Sequence, residues 1–279
     1  MTNYPQSYTL IDGMTIGADP ELFILNTSTN EFVCPDGLIP GTKEEPYAVE
    51  YGAVQQDGFA AEFNIDPVDN LHDFRRNIVQ VRKQLQGMLP TGLKLVAVPT
   101  ATFSESEWER ASDATKELGC SPDYNAWALR VNPPAEAEDR VRCAGGHIHF
   151  GWTNNTTPDN KEYFKSCIDL VRQLDWHLGA WSVTKDRDAL RRSMYGKAGS
   201  MRFKPYGVEY RTLSNFWLKD ALTIDQTWGR LCCALSRMKD THYPTQQATY
   251  NMSLIKAINN SDLDEQVFDQ FTASPIFRR

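Results

Sequence analysis

The chain has 279 residues, 41% of them hydrophobic, and its 36 acids outnumber 29 lysines and arginines to give a net charge of −7. A chain of this size buries a substantial core, as one large domain or two intimate ones, and its acidic balance argues against a sequence-nonspecific nucleic-acid binder. No stretch approaches the roughly 18 apolar residues of a membrane span, and Met1-Thr2-Asn3-Tyr4-Pro5-Gln6 has no basic or apolar export segment, so a cytoplasmic protein without a membrane partner is expected.

Along the chain, alternation predicts strands over residues 14–25, 58–65, 94–99, 144–151 and 207–213. Pro20 lacks a ladder donor, which predicts an irregular or edge position in the first strand. A helix is predicted after Asp69 or Asn70 as N-cap, with Leu71, Phe74, Ile78, Val81, Leu85 and Leu89 on its inner stripe. Residues 34–46 and 132–134 read as loops, and 136–142 as a charged, solvated segment. A second helix is predicted over 159–178, with Phe164, Ile168, Val171 and Leu174 inside. A third covers 217–238, with Leu218, Leu222, Leu231 and Leu235 as its stripe, and weaker helices follow at 253–259 and 262–271. Strands far apart in sequence, with long or helical connections, favour an α+β fold whose helices pack on one side of the sheet. One domain over 1–279 is expected, residues 215–279 forming a mainly helical C-terminal part. The six cysteines, Cys34, Cys120, Cys143, Cys167, Cys232 and Cys233, lack CxxC spacing and read as reduced thiols.

Strand parity places chemistry. Gly145-Gly146-His147-Ile148-His149-Phe150-Gly151 sends His147 and His149 to one face, and the paired glycines suit a metal or phosphate site. Asp19 and Glu21 share a face of the first strand, Glu62 and Asn64 of another, and Glu209 and Arg211 of a fourth. A strand with one wet face is ordinary in an antiparallel sheet, but such faces favour Lys, Thr, Ser and Gln over these acids and imidazoles. Two unit charges at 4 Å repel by about 4 kcal/mol at an effective dielectric near 20, so converging carboxylates need protons or cations. A carboxylate-rich set with one or two imidazoles suits Mg²⁺ or Mn²⁺.

Between the histidine and Glu209 segments, residues 187–207 form a basic loop carrying Arg187, Arg191, Arg192, Lys197, Arg202 and Lys204 among Gly196, Gly199 and Gly207. It reads either as a solvated loop or as a clamp for phosphate or carboxylate.

Together, Gly17-Ala18-Asp19-Pro20-Glu21, the run from Asp57 to Asn64, Gly145 through Gly151, and Tyr195-Gly196 through Tyr210-Arg211-Thr212 resemble the carboxylate–amine ligases of the glutamine synthetase/glutamate-cysteine ligase superfamily. They look most like its short COOH–NH2 ligase group, type 2, found in tailed phages and bacteria. The resemblance covers residues 16–214 and leaves the last quarter unmatched. It implies a curved, mainly antiparallel sheet with helices on its outer face. It also implies ATP-dependent amide or peptide bond formation through an acyl phosphate at a Mg²⁺ or Mn²⁺ site. By resemblance Glu21, Glu62, His147, Glu209 and, less directly, Asp19 are metal ligands. His149 faces phosphate or substrate, and Arg211 contacts the transferred phosphoryl group. Arg202, Arg192 and Lys197 belong with Arg211 as phosphate- or ATP-binding groups, Arg202 also as a catalytic group. The partners implied are a small-molecule or peptide carboxylate and an amine, with assembly into a homo-oligomer open and the host cytoplasm the location if a phage encodes the chain.

Asn64 stands where another acid is expected, and Asp19 where many relatives have Glu. Glu50 and Asp57 are candidates for removing the amine proton. Three alternatives stay open: a metal-dependent hydrolase using the histidine pair, a guanidine kinase-like phosphotransferase, and a binding protein that has lost catalysis. His72 and His177 read as packing or surface residues on helices, His242 has no role, and Trp127, Trp152 and Trp181 are candidates to wall a pocket.

Overall fold

Alternation over twelve residues makes β1 (Thr15–Asn26) the spine of the protein, with Ile16, Ala18, Leu22 and Ile24 in the core. The computed structural model describes residues 10–117, 123–133, 140–153, 160–238 and 248–262. The remaining strands are β2 (Phe32–Val33), β3 (Tyr47–Val49), β4 (Gly52–Asp57), β5 (Ala60–Ile65), β6 (Leu93–Val96), β7 (Thr100–Thr102), β8 (Tyr124–Asn125), β9 (Arg130–Val131), β10 (Val141–Cys143), β11 (Gly146–Gly151), β12 (Ser200–Lys204) and β13 (Gly207–Tyr210). Among the described residues, eleven of them form one sheet with the path β3-β4-β5-β1-β11-β13-β12-β8-β9, while β2 and β6 also pair with β1, and β7 pairs with β10 apart from it. Every strand pairing is antiparallel, so the fold is α+β with a mainly antiparallel sheet.

The α-helices among the described residues are α1 (Leu71–Met88), α2 (Glu105–Arg110), α3 (Asp113–Lys116), α4 (Lys161–Leu174), α5 (Ala180–Lys185), α6 (Ala189–Met194), α7 (Ala221–Met238) and α8 (Ala248–Asn260). Asn70 caps α1 by accepting from the Asp73 amide, and Phe74, Ile78, Val81 and Leu85 are buried as their spacing requires. These meet inward-facing Phe63, Ile148, Phe150, Val208 and Tyr210, together with residues of α4 and α7, in one continuous core. Fully burying each such side chain contributes about 1.5–3 kcal/mol. Helices α1, α4 and α7 thus cover one face of the sheet, and the odd-numbered side of β1 carries Gly17, Asp19 and Glu21 on the other.

Several expectations change. β1 is central, so at Pro20 the irregular position holds and the edge does not: on the β5 side the strand pairs at Glu21 and Leu22 and bridges Val68 at Ile16, and Pro20 falls between those pairings where its missing N–H is tolerated. The strand expected over 58–65 is present as β5 and is preceded by β4, a strand not expected from the sequence, across a hairpin turning at Gly58. The inner face of α4 is rotated: Tyr163, Cys167, Leu170, Val171 and Leu174 are buried, and Phe164 and Ile168 pack only partly. The helix over 159–178 continues through a π turn, Asp175–Gly179, into α5. The third helix splits into a 3₁₀ turn, Asn215–Leu218, and α7, on which Leu222 is 66% exposed because Trp228 and Ile224 set the inner stripe. Arg142, expected in a solvated segment, is buried in β10. The basic loop is not a loop: it folds into α6 and β12. The helix expected at 262–271 lies, beyond Asp262, outside the described residues, as do Cys120 and His242. Cys34 and Cys167 are buried free thiols. No helix among the described residues is long and apolar enough to cross a membrane.

Candidate active site

Cross-strand partners in an antiparallel sheet stand side by side on one face. The register therefore assembles the polar face in rows. Glu21 lies opposite Glu62, which lies opposite Gln55. Asp19 lies opposite His147. Gly17, His149, Glu209 and Arg202 form the next row, and Thr15, Gly151, Gly207 and Lys204 the one after it. Acids concentrate on β5 and β1, imidazoles on β11, and cations on β12. The face borders a cavity of about 410 Å³ lined by residues that include Gly17, Asp19, Glu62, Asn64, His149 and Tyr206.

At the acidic end, Glu21 Oε2 accepts from the Gly145 amide at 2.6 Å, and Glu62 Oε2 from Gln55 Nε2 at 2.8 Å. Burial first, then the charge of Asp57, raises the Glu21 carboxyl to about 7. Burial, followed by the charges of Asp19, Glu21 and Asp57, pushes Glu62 well above the ordinary carboxyl range. Asp57 is itself paired with Lys43 Nζ at 2.9 Å. It ends β4 instead of lying in a loop, and it acts on both glutamates, whereas Glu50 sits exposed in the β3–β4 turn.

At the other end Glu209, fully buried, is ringed by cations. Arg211 Nη1 donates to Oε1, Lys204 Nζ lies 2.9 Å from Oε2, and Arg202 Nη1 lies 3.5 Å from Oε2. Arg211 also donates from Nε to Asp123 Oδ1 at 2.6 Å and from Nη2 to the Tyr195 hydroxyl. Each nitrogen of its guanidinium is thereby engaged and the side chain is buried, which leaves Arg202 and Lys204 as the more accessible cations.

Between the two ends, burial would raise Asp19, but attraction to His149 and His147 outweighs it and holds the carboxyl well below its usual range. His149 is shifted upward because Asp19 overcomes the effect of burial. His147 falls to about 4, chiefly through burial and then the charge of Arg211. His149 Nε2 and Asp19 Oδ1 approach to 2.8 Å, yet neither buried atom has an aligned hydrogen-bond partner. Single ligand atoms of Asp19, His149 and Glu209 all lie within 4.8 Å of one another. Two unaligned buried atoms, of Asp19 and His149, beside the carboxylate of Glu209, with Glu21 and Glu62 adjoining, fit the oxygen and imidazole donor set of Mg²⁺ or Mn²⁺. His149 Nδ1 meets the Tyr206 hydroxyl at 2.5 Å, the outer-shell contact typical of a metal-binding imidazole.

The glycine pair has a packing reason. A Cβ at Gly145 would stand 2.1 Å from His147 Nε2, and one at Gly146 would stand 2.2 Å from the Ser214 carbonyl. Their amides bond Glu21 and the Leu213 carbonyl and so do not face an open anion site. Arg192 is likewise not brought to the face. It is buried, with Nη1 donating to the Gly196 and Thr212 carbonyls at 2.6 and 2.5 Å and Nη2 to Ser182 Oγ at 2.7 Å. Lys197 offers its carbonyl to Thr212 Oγ1 and to the Ser200 amide. Trp127, Trp152 and Trp181 do not line the cavity. Asp19, Glu21, Glu62, His147, His149, Glu209, Arg211 and Arg202 all meet on the face.

Residues unassigned from sequence are Gln55, Asp123, Tyr195 and Tyr206, and Lys204 has only its general place in the basic clamp. Strand parity over 200–204 would have linked Lys204 to Arg202. Nothing local marks Asp123, which long-range folding delivers to Arg211.

A family model described as "Phage phiEco32-like COOH.NH2 ligase-type 2" matches residues 140–272, slightly under half of the chain. That stretch contains His147, His149, Arg202, Glu209 and Arg211. It runs into the last quarter, which the motif resemblance left uncovered, and excludes the motifs of Asp19, Glu21 and Glu62. No curated protein matches the chain. Among solved structures, a bifunctional glutathione synthetase from Pasteurella multocida is similar at 11% identity and a TM-score of 0.44, over 95% of this chain and 46% of that one. The chain thus spans less than half the length of that protein.

Proposed function

We propose that the protein is an ATP-dependent carboxylate–amine ligase that forms an amide or peptide bond, with the polar face of β5, β1, β11, β13 and β12 as its active site. The observation that carries this reading is the convergence of Glu21, Glu62, Asp19, His149 and Glu209 from four strands, beside Arg202 and Lys204, in a chain matched in part by a carboxylate–amine ligase family. The glutamine synthetase-like fold, a single catalytic domain over the whole chain and a cytoplasmic setting belong to the same proposal.

ATP, as cosubstrate, supplies the phosphoryl group that activates a carboxylate as an acyl phosphate. Divalent Mg²⁺ or Mn²⁺ supplies positive charge beside those phosphates. Glu21, Glu62, Asp19, His149 and Glu209 would hold the metal, with His147 at the edge of that set. Arg202 and Lys204 stand where anionic oxygens at the face would meet donors, and Arg211 keeps Glu209 in place as well as adding charge. The cavity beside Gly17 and Tyr206 gives the organic part of a substrate room next to those charges.

The test is phosphate release from ATP with Mg²⁺, screened over carboxylates and amines in pairs. A ligase releases phosphate and forms amide only when both partners are present. Turnover without nucleotide would favour a hydrolase, and transfer of the phosphoryl group to a stable phosphorylated acceptor would favour a phosphotransferase.

A further inference from the structure

We infer that Tyr195 is a positioning residue that carries the donor polarity of Arg211 to His147 and fixes that ring with its proton on Nδ1, facing Asp19. A guanidinium only donates, so the Tyr195 oxygen must accept from Arg211 Nη2. Arg211 cannot readily turn away, because Nε is held by Asp123 and Nη1 by Glu209. The single phenolic hydrogen of Tyr195 then has His147 Nε2, 3.2 Å away, as its partner. Nε2 accepts, and the neutral ring carries its proton on Nδ1. That nitrogen lies 3.4 Å from Asp19 Oδ1, without hydrogen-bond alignment, and 3.7 Å from Glu209 Oε1, so its proton faces two negative charges. The ring is 2% exposed and lies against Gly145, where no Cβ would fit.

His149 is built the other way round. Its Nδ1 is taken by Tyr206, and its Nε2 points at Asp19 without an aligned hydrogen bond. The two histidines of the His-x-His pair therefore have different tasks. His147 turns its N–H toward the acids as a nearby partial positive charge, and His149 supplies the imidazole nitrogen of the cation-binding group. Only this division of labour rests on the proposed metal role; the tautomer of His147 follows from the Arg211–Tyr195 donor chain and the burial of the ring.

Long-range ¹H–¹⁵N NMR on metal-free, ¹⁵N-histidine-labelled protein at neutral pH reads the tautomer directly. The expected wild-type spectrum has a protonated Nδ1 and a bare Nε2 for His147. Tyr195→Phe should shift the ring toward Nε2–H while His177, remote in the core, keeps its signals. A wild-type His147 protonated on Nε2, or a Tyr195→Phe ring unchanged from wild type, overturns the inference. If that variant does not fold, the wild-type spectrum decides by itself. Mn²⁺ binding followed by EPR tests the division: His149→Gln should weaken it at least tenfold, and His147→Asn by less than about threefold. The reverse order overturns the division. Wild-type protein that binds no Mn²⁺ contradicts the metal reading alone, and the His147 spectrum still decides the role of Tyr195.

Discussion

Glu62 and Glu209 are the same residue type on the same face of one sheet, 6% and 0% exposed, yet their surroundings are opposite. Glu209 is compensated from within by Arg211, Lys204 and Arg202. Glu62 stands beside Glu21 and near Asp19 and Asp57, with Gln55 as its hydrogen-bond donor. A buried carboxylate must be neutralised by protein cations, by a proton or by an ion from solution. The fold supplies the first at one end of the face and leaves the other end to a proton or a metal.

Removing each charge separates the two cases most sharply. Glu209→Gln leaves three cations without their shared partner and should cost about 3–5 kcal/mol in urea unfolding. Glu62→Gln relieves repulsion and should leave metal-free stability unchanged or higher. Equal losses in the two variants would erase the distinction.

Metal itself gives the next largest effect. At Mg²⁺ or Mn²⁺ a hundredfold above the dissociation constant, the wild type should gain about 2.7 kcal/mol. Glu62→Gln and Glu21→Gln should forfeit most of that gain, as thermal melts with and without EDTA would show.

The pH dependence is smaller and has a definite sign. Glu21, raised to about 7, binds its proton more tightly folded than unfolded. Its contribution is fully present below its ordinary value near 4.5 and is lost as pH rises through 7, with a slope no steeper than about 1.4 kcal/mol per pH unit. Metal-free protein should therefore soften between pH 5 and about 8, and Mg²⁺ should remove the decline. Asp175, raised to about 6 by burial despite donors on Trp127, Tyr210, Thr212 and Gly199, adds a decline of the same sign at lower pH. Glu21→Gln should flatten the upper part of the curve and leave the Asp175 part.

The smallest stability effect is expected at Gly17. A Cβ there meets His149 Cβ at 3.5 Å, an ordinary contact, and otherwise enters the cavity. Gly17→Ala should change stability by less than about 0.5 kcal/mol and weaken the binding of whatever ligand occupies that space. A ligand bound as well by the variant would place it elsewhere.

Period-two patterning made much of this face legible in advance. It put Asp19 with Glu21, and His147 with His149, on the side opposite Ile16, Ile148 and Phe150, because a buried face forces parity on each strand. Which strands lie side by side was not local information, so the Glu21–Glu62 pairing and the delivery of Asp123 to Arg211 emerge only from the register. Charge misled in one place. Arg191 and Arg192 look like ligand-binding residues in a basic loop, but they are spent on the carbonyls of Ala144, Gly196, Thr212 and Leu213, which tie α6 to the segment after β13. Helical spacing misplaced Leu222 because the 3₁₀ turn at Asn215–Leu218 resets the phase before α7 begins.

The most direct measurement is a calorimetric titration of metal-free protein with Mn²⁺, run in parallel on wild type, Glu21→Gln and Glu62→Gln. Saturable binding by the wild type, weakened at least tenfold in both variants, is the predicted result. A wild type that takes up no Mn²⁺, or variants that bind as tightly as it does, would contradict the assignment of the acidic end of the face to a cation from solution.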